Sequence, residues 1–329
     1  MNSRDVAGVG ALNVDYFYEV DDLAGLSRYG LSLHPGREIS SDCHALSQLL
    51  EILKQEGRLK MKSGGGSAAN TVVALAGMSF ATAFCGRVGA DEQGSFILQN
   101  MRGVDLTRVV RGGRSGTCVV VLDRKRDRAL LVQPNANEAF TSDEHDATYL
   151  SNYRYVHMSS FAGDKPLQAQ TQLARMLPDH VQVTLDPGEL YAKRGLKIIG
   201  PLLERASILF ITDHEAHILT GREDYRKACR DLLGLGPRIV VCKRGAEGAC
   251  AATRDMEKEV VSRRLIEVLD NTGAGDVFNA GFLAGMLLNK SLQQSLHFAH
   301  TIAVRSLGAF GRGHYPTPKD RYLLEEETA

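Results

Sequence analysis

GGGSAANTVVALAGMSFATAFCGRVGADEQG, from Gly64 to Gly94, is where the fold declares itself. Three glycines lead into Ser67–Met78, whose apolar residues recur at helical spacing. After Ser79 and Phe80 the run Ala81–Gly86 reads as a short buried strand, and a glycine-rich turn then opens a second helical segment, Gly94–Met101. Helix, strand, turn, helix is the rhythm of a chain that sets parallel strands side by side and packs helices over them. The rhythm continues outward. Strands are expected at Val6–Gly10, Tyr155–Met158, Val181–Asp186, Ile208–Ile211 and Ile239–Lys243. Helices are expected at Leu167–Leu177, Leu196–Glu204, His214–Leu219, Tyr225–Leu233 and Asp276–Leu288. The fold class is therefore α/β, a mostly parallel central sheet covered on both faces.

Two places break the alternation. One is Tyr16–Val20; the other is the pair Thr117–Leu122 and Ala129–Gln133, joined by the charged turn Asp123–Asp127. They read as hairpin-like strands outside the main sheet, a small β lid contributed by about 12–63 and about 112–135. Within it Ser41–Gly57 (SDCHALSQLLEILKQEG) has a Ser/Asp start, apolar residues at helical spacing and a closing glycine, so a helix is expected there. No tract rich in Pro, Gly or Ser separates an independent unit, and residues 1–329 are expected to form a single domain.

Composition narrows the function. Apolar residues make up 43% and charged ones 24%, and 39 basic residues balance 39 acidic ones. That is the balance of a soluble globular protein, neither a disordered tail nor a polybasic partner of nucleic acid. No stretch approaches the roughly 18 uninterrupted apolar residues of a membrane span, and the N-terminus has no secretory pattern, so a cytoplasmic location is expected. The six cysteines form no CxxC pair, which points to reduced thiols in buried strands rather than a zinc site or a redox pair. His297 and His300, one helical turn apart, read as packing residues.

Three constellations bear chemistry. In Asp270-Asn271-Thr272-Gly273-Ala274-Gly275-Asp276 a small-residue turn opens an apolar helix, so free amides and the helix dipole converge on an anion site. The dipole favours an ionised Asp276, which could take a proton from a hydroxyl held beside that anion or could simply cap the helix. In Gly64-Gly65-Gly66-Ser67-Ala68-Ala69-Asn70, bare backbone and the Asn70 amide suit a polyol, or a tight turn with Ser67 as its cap. In Gly8–Asp15, Asn13 and Asp15 emerge where a strand ends; Asn13 occupies the sixth position of a GxGxxG pattern, so a dinucleotide fingerprint is not met, and no GxxxxGK[ST] occurs. Two weaker stretches, Lys243–Gly248 and Thr212–Glu215, could lie beside nucleotide phosphate and a hydrated cation, or be plain loops.

Taken in this order, the stretches resemble the ribokinase-like (PfkB) carbohydrate kinases. Gly64–Gly94 is similar to the family's N-terminal signature, GG, three residues, then Asn, and later GxVGxDxxG; LDNTGAGDVFNAGFLAG, Leu269–Gly285, is similar to its C-terminal one. The resemblance runs from about Val6 to Pro316 and implies a ribokinase-like three-layer α/β/α fold with a small β lid. It implies ATP-dependent phosphorylation of a hydroxymethyl group on a sugar, with Mg2+, and with K+ in potassium-activated members. By position, Asp276 matches the catalytic base and Gly273, Ala274 and Gly275 the anion hole. Asn13, Asp15, Gly65, Gly66 and Asn70 match sugar-gripping positions. Lys243, Gly245, Gly248 and Thr272 fall at the nucleotide, and Glu215 and Asp270 at the metals; carbonyls of Asp270 and Thr272 match the monovalent-cation site, with Gly311 beside it. The chain departs from the family at Thr212, usually Asn, and at Lys243, often Thr or Ser. An adenosine-type nucleoside kinase is the alternative, with Tyr16, Phe17 or Tyr18 stacking on a base; a non-catalytic sugar- or nucleotide-sensing protein is another. Partners are expected to be a sugar or nucleoside, no nucleic acid, no membrane, and a second copy of the chain in a homodimer through the lid. Gly66→Ala is expected chiefly to raise the acceptor KM.

Overall fold

The computed structural model describes residues 4–29, 38–40, 43–124, 128–261 and 268–326. Its strands are β1 (Arg4–Val9), β2 (Asn13–Val20), β3 (Glu38–Ser40), β4 (Gly57–Gly65), β5 (Thr82–Val88), β6 (Val104–Arg111), β7 (Gly116–Leu122), β8 (Arg128–Gln133), β9 (Tyr153–Ser159), β10 (Gln182–Asp186), β11 (Ala206–Thr212), β12 (Ile239–Lys243), β13 (Ala249–Ala252) and β14 (Glu257–Val260). Among the described residues they make two sheets. Nine strands run in the order β14-β13-β12-β11-β10-β9-β1-β5-β6, all pairs parallel except those that β13 makes with β12 and β14. The other five run β3-β8-β7-β2-β4.

The apolar runs that mark the central strands are buried on both faces. On β11, Ile208 and Phe210 point into one core and Leu209 and Ile211 into the other; on β1, Val6 and Ala7 divide in the same way. The first core is closed by helices Ser67–Gly77, Ala274–Leu287 and Leu292–Ser306, through Val72, Leu75, Phe282 and Ile302. The second is closed by Asp164–Met176, Leu196–Arg205 and Tyr225–Leu233, through Leu173, Leu202 and Leu232. Helices on both faces give the three layers expected of a doubly covered parallel sheet.

The five-stranded sheet has two different faces. Val119, Val121 and Leu131 meet Leu46, Leu49 and Leu53 of the helix Cys43–Glu56. Phe17, Cys118, Val120 and Val132 form the opposite face, where Phe17 meets Phe310 edge to face. The expected helix at Ser41–Gly57 is thus present from Cys43, while its Ser41 and Asp42 start lies outside the described residues and Gly57 already belongs to β4. Most of the charged turn, from Lys125 to Asp127, also lies outside them.

The glycine triplet is not one turn. Gly64 and Gly65 end β4, paired with Val14 and Asn13, and only Gly66, at φ 107°, makes the turn. Gly66 is also the N-cap, so Ser67 is the helix's first residue rather than its cap. Cys85, Cys118, Cys229, Cys242 and Cys250 are buried free thiols, four of them on strands. No helix among the described residues is long and apolar enough to cross a membrane.

Candidate active site

Parallel strands deliver their loops to one end of a sheet, and there the two glycine-opened helices meet. Ser67 Oγ donates to Asp276 Oδ1 at 2.6 Å, Asn70 Nδ2 donates to Oδ2 at 2.8 Å, and Thr71 Oγ1 donates to the Asp276 carbonyl at 3.2 Å. Residues more than two hundred positions apart thereby fix one carboxylate. Burial pushes the Asp276 carboxyl up to about 6, with the nearby Asp186 charge adding to it and Ser67, Asn70 and Lys243 pulling the other way. The first-turn position favours the charged form, and desolvation opposes it. At neutral pH the group is still mostly ionised.

Asp276 lines a cavity of ≈ 310 Å³ between the two sheets. Asn13, Asp15, Gly66, Asn70, Glu215, Lys243, Thr272, Gly273 and Gly275 share the lining; Gly65, Ala274, Gly245, Gly248 and Asp270 do not. Gly65 acts from behind, since a Cβ there would meet the Asp15 carboxylate at 2.0 Å. Gly245 and Gly248 form the tight β12–β13 connection outside the cavity, and Asp270 is a clamp, accepting from Thr272 N at 2.8 Å and from Gly311 N at 3.0 Å. Of the aromatic residues expected to stack on a base, Phe17 of β2 is buried and outside the lining, and Tyr16 and Tyr18 are not in the lining either. Cys118, Leu130 and Val132 supply the wall instead.

Three residues of the site carry no local signal in the sequence. Asn137 receives Leu12 N at 2.9 Å and donates to Leu12 O at 3.1 Å and to Asn13 Oδ1 at 3.0 Å, so it aims Asn13 into the cavity. Arg128, on β8, reaches across to Thr272 Oγ1 at 3.0 Å. Arg312, on the loop after the last long helix, donates to Asn70 Oδ1 at 3.0 Å.

Near Gly275, Lys243 Nζ donates to Asp186 Oδ2 at 2.6 Å, as does Asn279 Nδ2 at the same distance. Burial opposes the Asp186 charge, yet Lys243 and these bonds hold its carboxyl below the usual range. Lys243 also approaches the start of the helix Ala274–Leu287: a Cβ on Gly275 would lie 3.5 Å from Nζ. Glu215 is pushed up to about 7 by burial and then by Asp186. Thr212 and Glu215 form a reciprocal capping box, Glu215 N to Thr212 Oγ1 at 3.2 Å and Thr212 N to Glu215 Oε2 at 2.8 Å, so Thr in place of Asn keeps the helix start intact.

A family model described as pfkB family carbohydrate kinase matches residues 43–320. The chain belongs to the PfkB carbohydrate kinase family. It is accordingly a phosphotransferase of the sugar and nucleoside kinases, and the non-catalytic reading falls away. Among curated relatives, an uncharacterized sugar kinase of Archaeoglobus fulgidus is 35% identical over 72% of this chain and 95% of its own. An ATP-dependent ribose-1-phosphate kinase of Halopiger xanaduensis is 31% identical over 79% and 86%. Among solved structures, adenosine kinase from Sinorhizobium meliloti superposes with a TM-score of 0.86, covering 99% and 100% of the two chains at 21% identity. Arabidopsis thaliana ribokinase complexed with ribose and ATP gives 0.77, covering 98% of each at 25% identity. The ribokinase-like fold implied by the two signatures is the fold of this PfkB kinase.

Proposed function

We propose that this PfkB kinase moves the γ-phosphoryl group of ATP to a hydroxymethyl oxygen of a sugar, with Asp276 as the base. The observation that carries the reading is the placement of Asp276 across one cavity from Asn13 and Asp15, with the anion site of Gly273–Gly275 beside it. Asn13 and Asp15 orient the acceptor hydroxyls, and Asp276 accepts the proton as the acceptor oxygen forms its bond to phosphorus and the bond to ADP breaks. A loose transition state puts the burden on positioning and on charge neutralisation. Lys243, Arg128 and the first-turn amides supply that charge, and the base adds roughly 10²- to 10⁴-fold.

Mg2+ suits the donors present. Asp186 and Glu215 bring hard carboxylate oxygens to the cavity wall, and the ion would supply charge neutralisation for the phosphates. The cluster Cys250, Glu257 and Glu259 is a poor rival, because Arg226 already pairs with both carboxylates. For K+, the Asp270 clamp sets the Thr272 and Gly311 loops side by side, which supports a monovalent site on carbonyls of that turn.

We place the five-stranded sheet as the lid and read residues 1–329 as one kinase domain working in the cytoplasm. A homodimer through the lid would form without the sheet face that Cys43–Glu56 already covers, and the mass in solution tests it. None of Tyr16, Phe17 and Tyr18 lines the cavity, which favours a sugar over a nucleoside stacked on them. ADP release against pentoses, hexoses, ribose 1-phosphate and nucleosides decides between them: a response to sugars or sugar phosphates is expected, and a response to nucleosides alone would overturn the choice.

A further inference from the structure

Asn70 has one amide and two jobs. As Asn13 and Asp15 do, it faces the cavity, yet its Nδ2 is spent on Asp276 Oδ2 at 2.8 Å. A free carboxamide can flip, and a flipped Asn70 would turn its oxygen toward the carboxylate, losing the bond and adding repulsion. What prevents the flip lies on the other side. Arg312 Nε donates to Asn70 Oδ1 at 3.0 Å, and a guanidinium can only donate. The oxygen is therefore pinned to Arg312, and the NH2 group must face Asp276.

Arg312 is itself built in. Its Nη1 donates to the Asn100 carbonyl at 2.9 Å, and the side chain passes so close to β4 that a Cβ on Gly64 would lie 3.1 Å from Nη1. Gly64 is thus bare to let the arginine by. Nη2 is buried with no hydrogen-bond partner among the described residues. Holding a guanidinium there is costly, and a well-packed apolar side chain would serve stability better. Its electrostatic neighbours are Tyr315, Asp15 and Asp276, the two carboxylates both on the cavity wall.

We propose that Arg312 is a positioning residue for phosphoryl transfer, acting through Asn70 to hold the Asp276 carboxylate in its reactive orientation. The inference rests on Asp276 being the base. It also narrows what Asn70 can do for the acceptor: one N–H and one lone pair of the oxygen are taken, which leaves one of each for a sugar hydroxyl. The groups facing Asp276 are Ser67 and Asn70 from one helix, Asp186 from β10, Lys243 from β12, and Arg312 and Tyr315 from the C-terminal loop. Of these, Arg312 is the one that acts through a second side chain.

The test is a double-mutant cycle on kcat with Arg312→Met, Asn70→Ala and both together. Loss of a hydrogen bond to a charged group sets the scale, and each single change is expected to lower kcat about tenfold or more while KM for ATP stays put. If Arg312 acts through Asn70, the double variant is no slower than Asn70→Ala alone. Losses that multiply, or an Arg312→Met enzyme with undiminished kcat, overturn the proposal. Should Arg312→Met fail to fold, Arg312→Lys takes its place in the cycle: it keeps a donor-only group, so full kcat supports the proposal, and any loss must vanish in the Asn70→Ala background; a loss that persists there overturns it. The base assignment is checked separately, because undiminished kcat in Asp276→Asn would remove it whatever the cycle gives.

Discussion

Asp276→Asn should make the enzyme inactive and more stable at the same time. The carboxyl is raised from its ordinary value to about 6 by burial, so the folded protein at pH 8 carries an anion that it would rather protonate. For an acid raised on folding, the linked stabilisation is complete below the unfolded value and is lost as pH rises through the folded one. A shift of this size corresponds to about 3 kcal/mol, and the opening of the site to the cavity reduces that to about 1–2 kcal/mol. Asparagine keeps the shape: its oxygen can accept from Asn70, and its NH2 can donate to Ser67 Oγ. At pH 8 the variant is expected to melt about 2–4 °C above the parent, with kcat down at least about 10²-fold. The two melting curves should converge as pH approaches the unfolded carboxyl value, near 4, because the parent is then protonated in both states. Scanning calorimetry at both pH values, beside ADP release, is the assay. A variant less stable at pH 8, or one whose advantage persists at pH 4, would show that the carboxylate is not held under desolvation, and the account of the base would fail with it.

Three further outcomes follow from the site. The acid limb of kcat/KM should bend between about 6 and 7, with Asp276 and Glu215 titrating together, and Glu215→Gln should leave a single bend near 6; an unmoved limb would separate Glu215 from the reaction. Lys243→Met should raise KM for ATP or lower kcat by about tenfold or more, since it strips the cation from beside Gly275 and leaves Asp186 facing Glu215; unaltered kinetics would exclude Lys243 from the phosphate site. Gly66→Ala should lower Tm outright rather than shift the acceptor KM alone, because a side chain at φ 107° would meet the Ala11 carbonyl at 2.0 Å, and a melting point within a degree of the parent would contradict that geometry.

Much of the main sheet is legible because both of its faces are dry. Runs such as Ile208–Ile211 and Ile239–Lys243 have no polar face to confuse their reading. Strands outside that regime are hidden. β6 reads VDLTRVVR, polar enough for the sheet edge it occupies, and β4 reads GRLKMKSGG, where basic residues and terminal glycines suggest a turn instead. The site divides along the same line. Asp276, Asn70 and Asn13 stand beside glycine turns and helix starts that leave a local trace. Asn137 and Arg312 act across 124 and 242 positions, and nothing in their own neighbourhoods says so.

The helix Cys43–Glu56 gives the small sheet an apolar filling of its own, on the side turned away from the cavity. A slab backed in this way keeps its own interior dry without help from the main sheet. One of its joins to the main sheet is the short crossing from β1 to β2, where Asn137 grips Leu12 and Asn13, so a single amide both fastens that join and turns Asn13 toward the cavity.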